Sequence, residues 1–267
     1  MSLDWGVARD QAAPPRGAAP PVLPPDARGR FPETSPAADA GAAPRASWRV
    51  RAGRILLVIA VTPIILSALY AFVPPVSTLM LARWVTFRSV ERDWVPLAYI
   101  NPALPRAVIA TEDGTFCSHW GVDWGAVRSV IEETSEDWPE RGASTVSMQV
   151  VKNLFLWPGF GYVRKPIELV LAHWIELTWS KARIMEVYLN IAEWGPNGIF
   201  GAEAGARKAF GKSARNLTPR EAAIMVAALP NPVIRNPARP TAGQIRRAAR
   251  ISARSAQGPD TTCLSRF

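Results

Sequence analysis

The chain has 267 residues, with 31 Lys and Arg against 22 Asp and Glu, a formal net charge of +9, two histidines and two cysteines. That length suits one ordinary domain with a sizeable core plus tails; Cys117 and Cys263 are too few for a disulfide framework, so no structural disulfide is expected, and without a Cys-x-x-Cys pair a zinc site is not expected either. No nucleic-acid-binding signature accompanies the positive charge, which leaves an anionic membrane or a phosphorylated substrate as its target, and no nucleic acid.

Residues 1–48 are rich in Ala, Pro, Gly and Arg and carry almost no aliphatic periodicity. Such a segment cannot bury enough surface to offset its ordering entropy, and it reads as a disordered cytoplasmic tail. The run from Ile55 to Phe72 is uncharged, and no charge follows Arg54 until Arg83. It predicts a transmembrane helix over 52–73. A buried core helix and a cleaved signal peptide are the alternatives. The long preceding tail and the lack of a small-x-small site before Pro74-Pro75 favour the anchor. Arg45, Arg49, Arg51 and Arg54 crowd its N-terminal flank, so the positive-inside bias puts the N-terminus in the cytoplasm and the bulk of the chain outside it.

From 83 to 240 the signals are helical, with no convincing alternating strands. Leu104 to Glu112 reads as a helix with proline in its first turn and Gly114 near its C-terminal cap. Glu112 then sits at a helix C-terminus, where the dipole disfavours negative charge and suits a general acid or base. The polar, acidic stretch 124–141 is expected to be mobile. Ser144 or Thr145 caps a helix through Phe155, with Val146, Val150 and Leu154 as its core stripe and Ser144, Met148 and Lys152 on another side. A helix N-terminus with hydroxyls and a lysine is an anion site in waiting.

Pro166 marks the first turn of the next helix, with Arg164 and Lys165 just ahead of it and Ile167, Val170, Leu171, Trp174 and Thr178 on its buried side. Ser180 caps a helix through Leu189, Gly195-Pro196-Asn197-Gly198 is a turn, and small residues from Gly201 to Ala206 imply close helix packing. Thr218-Pro219-Arg220-Glu221 is a capping box opening an Ala-rich helix that stops at Pro230. Residues 241–267 read as a basic tail with at most a short helix around Ile245–Ile251.

Several clusters, taken together and in order, resemble the family 51 glycosyltransferases, which polymerise peptidoglycan strands from lipid II. Glu112-Asp113-x-x-Phe116-x-x-His119-x-Gly121-x-Asp123 is similar to the first family motif. Gly142-x-Ser144-Thr145-x-Ser147-x-Gln149-x-x-Lys152-Asn153-Leu154 is similar to the second, and Arg164-Lys165-x-x-Glu168 to the third. The likeness continues through Ser180-Lys181 to Asn190, Gly198 to Gly211 and Leu229-Pro230-Asn231-Pro232. With no Ser-x-x-Lys or Lys-Thr-Gly and little chain after Pro232, the resemblance is to the monofunctional, membrane-anchored branch.

The resemblance implies a mainly α fold: a lysozyme-like, two-lobed helical glycosyltransferase domain over 83–240 behind one N-terminal transmembrane helix in a bacterial inner membrane, with Leu79 to Leu81, Trp84, Val85 and Phe87 near the bilayer surface. It makes Glu112 the base that deprotonates the acceptor 4-hydroxyl in an inverting, β-1,4-forming transfer. Ser144, Gln149, Lys152, Arg164 and Lys165 would bind the substrate and its diphosphate. Glu168 would assist through Arg164 or a divalent cation, Mg2+ or Mn2+, with no organic cofactor. Asp113, Phe116 and His119 would shape the site. The implied partners are lipid II, the lipid-linked growing glycan and cell-wall synthesis or division proteins. Where the family usually has two adjacent glutamines, this chain has Met148-Gln149, so an amide contact near the donor is expected to be missing. Two other readings use the same residues: a lysozyme-like lytic glycosidase, which needs no diphosphate cluster, and a catalytically silent, glycan-binding membrane scaffold.

Overall fold

A computed structural model describes residues 48–133, 144–157, 159 and 161–265. The expected tail up to residue 47, and residues 134–143 of the polar stretch, lie outside the described residues. The chain divides into two compact units, Met1–Arg54 and Ile55–Phe267. Of the first, only the opening turns of helix α1 (Trp48–Tyr70) are described.

Helix α1 has a mean hydropathy of 2.2 and is, among the described residues, the one helix long and apolar enough to cross a membrane. Ile55, Leu57, Ile59 and Ile65 all stand exposed around it, which is what lipid rather than a protein core would cover. Its C-terminal end is fastened within the second unit. The Trp174 indole N–H donates to Ser67 Oγ at 2.8 Å and that of Trp179 to the Ser67 carbonyl at 2.9 Å. The Arg183 guanidinium reaches the Tyr70 and Val73 carbonyls at 2.8 and 2.7 Å, using acceptors the helix end leaves free.

The second unit is mainly helical: α2 (Thr78–Val85), α3 (Ala103–Glu112), α4 (Trp124–Glu133), α5 (Val146–Phe155), α6 (Gly161–Thr178), α7 (Lys181–Ile191), α8 (Ala202–Phe210), α9 (Pro219–Ala228) and α10 (Ala242–Ala256). Three short strands, β1 (Glu91–Arg92), β2 (Glu193–Gly195) and β3 (Ile199–Phe200), form one small sheet in the order β1-β3-β2, which the helical reading did not include. β1 runs parallel to β3, and β2 returns antiparallel through the turn at Asn197 and Gly198, both at positive φ. The core gathers Phe116, Met148, Ile184, Met185, Tyr188, Trp194 and Phe200, all fully buried, where α5 packs on α6 and α7 and α3 on α9. The small-residue run in α8 lets Gly205 lie against Trp194, where an added Cβ would come within 2.7 Å of the tryptophan's own.

Several sequence expectations need correction. Helix α6 begins at Gly161, so Pro166 sits inside it rather than at its start, and Arg164 and Lys165 are helical rather than preceding it. Its buried residues are Glu168, Leu171, Ala172, Ile175 and Glu176, whereas Ile167, Val170 and Thr178 stand exposed, because the face turned to α5 and α7 lies a fraction of a turn away from the predicted stripe. Asp113, not Gly114, caps α3. Residues 124–133, expected to be mobile, are helical, with Asp123 Oδ1 accepting the Ala126 N–H at 2.8 Å in the first turn.

The basic C-terminal segment is not a tail. It forms the 15-residue helix α10, capped by Thr241 and Gln244, and packs on α9 and α3. Gln244, Ala248 and Ile251, spaced i, i+4, i+7, are its buried stripe. Beyond it, Cys263 forms a disulfide with Cys117 across 146 residues of sequence, with Cα atoms 5.4 Å apart. The two cysteines are therefore a structural pair, and the end of the chain is tied beside the first motif.

Candidate active site

The two adjacent carboxylates at the end of α3 part company. Asp113 turns into the fold, where it accepts the Val146 N–H at 2.8 Å and the His119 imidazole Nε2 at 2.9 and 3.0 Å. That hydrogen bond joins the C-terminus of α3 to the N-terminus of α5 and leaves Glu112, half-buried, facing a cleft of about 810 Å³. Thr145 reinforces the junction. Its hydroxyl caps α5 by accepting the Met148 N–H at 3.2 Å and donates to the Gly121 carbonyl at 2.6 Å. Gly121 has φ +82°, and a Cβ there would come within 2.7 Å of the Ala172 carbonyl, so the loop after the first motif lies flat on α6 only with glycine at this position.

Gln149, one turn into α5, donates from Nε2 to Glu112 Oε2 at 3.2 Å. The Tyr188 hydroxyl donates to the other end of that amide at 3.4 Å. Burial pushes the Tyr188 phenol well above its ordinary range, and the negative charges of Glu112 and Asp113 push it further, so it remains a neutral donor. Met148, the neighbour of Gln149 on α5, is buried in the core. It is 0% exposed and is not among the residues that line the cleft.

A cationic cluster follows from the spacing of the third motif on α6. Arg164 Nε donates to Glu168 Oε1 at 2.5 Å, four residues on, and Lys165 Nζ reaches Glu168 Oε2 at 3.2 Å, three residues on. Lys165 Nζ also donates to the Ser144 hydroxyl. Arg164 is further held by the Trp157 and Gly159 carbonyls, each at 2.7 Å. Burial pushes the Lys152 ammonium below its ordinary value; the charge of Glu168 opposes that shift, while Arg164 and Lys165 add to it. Glu112, Ser144 and Gln149 line the cleft itself; Glu168 joins Arg164 to Lys165, which reaches Ser144, and Lys152 lies near enough to feel all three of those charges. Phe116 and His119 lie beneath: Phe116 is fully buried under the Lys181 ammonium, 4.5 Å from its ring centroid.

Two groups of residues escaped the sequence reading. Buried Glu176 accepts Ser147 Oγ at 2.5 Å and Lys181 Nζ at 2.7 Å, bracing α5 against α6 and α7 under the site. Arg247, Arg250 and Arg254 of α10 form a wall of the same cleft as Glu112. The spacing of Glu176 to Lys181 carried no distinctive signal; the spacing of Gln244, Ala248 and Ile251 was a signal for a buried stripe in α10 that the sequence reading did not use.

A divalent cation at Glu168 is a poor fit to these residues. Both carboxylate oxygens already accept from cations, and among the described residues no three Asp, Glu, His or Cys side chains converge as a metal site would require.

The sequence family described as transglycosylase matches residues 80–256, from α2 to the end of α10. A biosynthetic peptidoglycan transglycosylase of Rhodopseudomonas palustris (strain HaA2) is 52% identical over 201 residues, covering 75% of this chain and 88% of the relative. Proteins of the same description from Brucella suis biovar 1 and Rhizobium meliloti are 49% and 47% identical, covering 79% and 83% of this chain and 95% and 96% of their own.

Proposed function

This chain belongs to the transglycosylase family and is a peptidoglycan glycosyltransferase; on that premise we propose that it polymerises lipid II into β-1,4-linked glycan strands with inversion. In this reading Glu112 takes the proton from the acceptor 4-hydroxyl. The acceptor oxygen forms its bond to the donor's anomeric carbon as the bond from that carbon to the diphosphate breaks, and the electron pair leaves on the diphosphate oxygen. Gln149 orients the Glu112 carboxylate rather than binding sugar. Ser144, Lys152, Arg164 and Lys165 stabilise the negative charge that develops on the departing polyprenyl diphosphate, and Glu168 is the positioning residue that holds Arg164 and Lys165 in place.

The observation that carries this reading is the connection between two chemistries in one cleft. Glu112 lines it, and so does Ser144, whose hydroxyl is bonded into the cationic cluster. A lytic glycosidase has no use for such a cluster, since its leaving group is a sugar hydroxyl that an acid can protonate. No step is routed through a divalent cation; in this reading Mg2+ or Mn2+ would be held by the substrate's own phosphate oxygens.

The proposed setting is the inner membrane, with α1 spanning it, the N-terminus cytoplasmic and the catalytic domain periplasmic. The Cys117–Cys263 disulfide supports an oxidising compartment. Trp84, Val85 and Phe87, the last 99% exposed, support a bilayer-facing entrance for a polyprenyl chain. The test is to supply the detergent-purified chain with labelled lipid II and, separately, with mature glycan. Lengthening of the first and no shortening of the second is expected; shortened glycan would establish the lytic reading instead.

A further inference from the structure

Helix α10 presents to the cleft a face of arginines that form no ion pair among the described residues. Arg247, Arg250 and Arg254, spaced i, i+3, i+7, share one flank of the helix, beside the stripe of Gln244, Ala248 and Ile251 that is fixed in the core. All three line the cleft together with Glu112. Among the described residues, none of these guanidinium groups, nor that of Arg235, has a carboxylate partner. Arg247 Nε and Arg235 Nη1 are buried with no hydrogen-bond acceptor at all.

The cleft's carboxylates are otherwise engaged. Asp123 accepts Thr115 Oγ1 at 2.7 Å and the Ala126 N–H at 2.8 Å, and Glu112 accepts Gln149. The cluster behind Ser144 is the opposite case, with Glu168 between Arg164 and Lys165. Burial lowers the Arg247 pKa, and the charges of Arg235, Arg250 and Arg254 lower it further, against the pull of Glu112. Buried N–H groups without acceptors and like charges without counter-ions are each costly. A folded chain retains them together where the missing charge arrives with a ligand.

We propose that Arg247, Arg250 and Arg254, backed by Arg235, form a second anion subsite on the acceptor side of the cleft, which holds an oxyanion carried by the acceptor. That oxyanion is either the acceptor's diphosphate or a carboxylate of its peptide. The subsite positions the acceptor so that its hydroxyl meets Glu112. The inference rests on the polymerase reading and adds a specificity element to it. Arg250 and Arg254 are exposed, so replacing them leaves the α10 packing stripe intact.

The experiment uses the full chain in detergent with a saturating donor, a lipid-linked disaccharide blocked at its 4-hydroxyl, and a titrated lipid-linked disaccharide-peptide acceptor. The double variant R250Q/R254Q should raise the acceptor KM by about tenfold or more, the loss of charge-assisted contacts, with the donor KM unchanged; R250K/R254K should restore part of it. Acceptors lacking the peptide, or with an uncharged linker in place of the diphosphate, identify the anion: the wild type loses its advantage over the variant in the arm where that anion is missing. A wild-type acceptor KM for R250Q/R254Q in every arm overturns the subsite while leaving the polymerase reading intact. If the wild type couples no donor to acceptor, the polymerase reading fails, and the subsite with it.

Discussion

The Gln149 amide donates to Glu112 Oε2 at 3.2 Å while accepting the Tyr188 hydroxyl at 3.4 Å, so it is a clamp between a buried phenol and the proposed base. Removing the clamp frees the carboxylate to rotate without touching the substrate's own contacts. Gln149→Ala should therefore lower kcat by roughly 10- to 100-fold, the effect of one hydrogen bond to a charged group, with little change in KM. Steady-state polymerisation kinetics check this; an unchanged kcat removes Gln149 from the mechanism.

Met148 gives the complementary prediction. Restoring a glutamine at this position would place an amide in a fully buried apolar environment, because the side chain faces the core rather than the cleft. Met148→Gln should destabilise the fold by about 1–3 kcal/mol and give no gain in rate. A thermal melt with a parallel activity assay decides it. Higher activity at unchanged melting temperature would mean the side chain reaches the site after all.

These two neighbours show what the sequence makes legible and what it hides. Caps and turns are local and were readable: Ser180 before α7, Thr218 with Glu221 at α9, and Asn197-Gly198 between β2 and β3. Arg164, Lys165 and Glu168 were marked out by the third motif, although the reading placed the first two ahead of the helix that carries all three. The rotation of a helix is not local. α5 is buried along most of its surface, so apolar periodicity could not tell the Met148 side from the Gln149 side. Nor could it show that α6 begins a turn early. Helix α10 was obscured by its arginines, although the stripe of Gln244, Ala248 and Ile251 was present. The partnership of Cys117 and Cys263 depends on the folded path between them.

Lys152 couples function to stability with opposite signs. Its pKa is lowered chiefly by burial, so between its folded and its ordinary pKa the unfolded chain binds more protons and stability rises with pH. Near neutrality the buried charge is a net cost. Lys152→Met should leave the melting temperature unchanged or higher while lowering kcat/KM by roughly 100-fold or more, as for loss of one preorganised charge donor. The wild-type kcat/KM should also fall on the alkaline side below the pH at which an ordinary lysine titrates, and Lys152→Arg should carry that fall upward. A variant that melts lower and polymerises normally would mean Lys152 is structural.

The disulfide predicts a redox-dependent stability. It closes a segment of 146 residues and secures the chain just beyond α10, whose arginines line the cleft. Reduction, or Cys117→Ser with Cys263→Ser, should cost about 2–5 kcal/mol, visible as a melting temperature lower by roughly 5–15 °C. Melts with and without reductant measure it. Identical curves, with free thiols absent from the unreduced protein, would show that the bond contributes nothing to the fold.

Glu112 is the proposed base, in the same cleft as the Ser144 hydroxyl that is bonded into the cationic cluster proposed to receive the diphosphate. The most direct test is polymerisation of labelled lipid II by the wild type and by Glu112→Gln, which keeps the shape and a hydrogen-bonding amide but cannot take a proton. The wild type should form polymer, and Glu112→Gln should do so at a rate lower by at least about 100-fold while melting at the wild-type temperature. A fully active Glu112→Gln would contradict it.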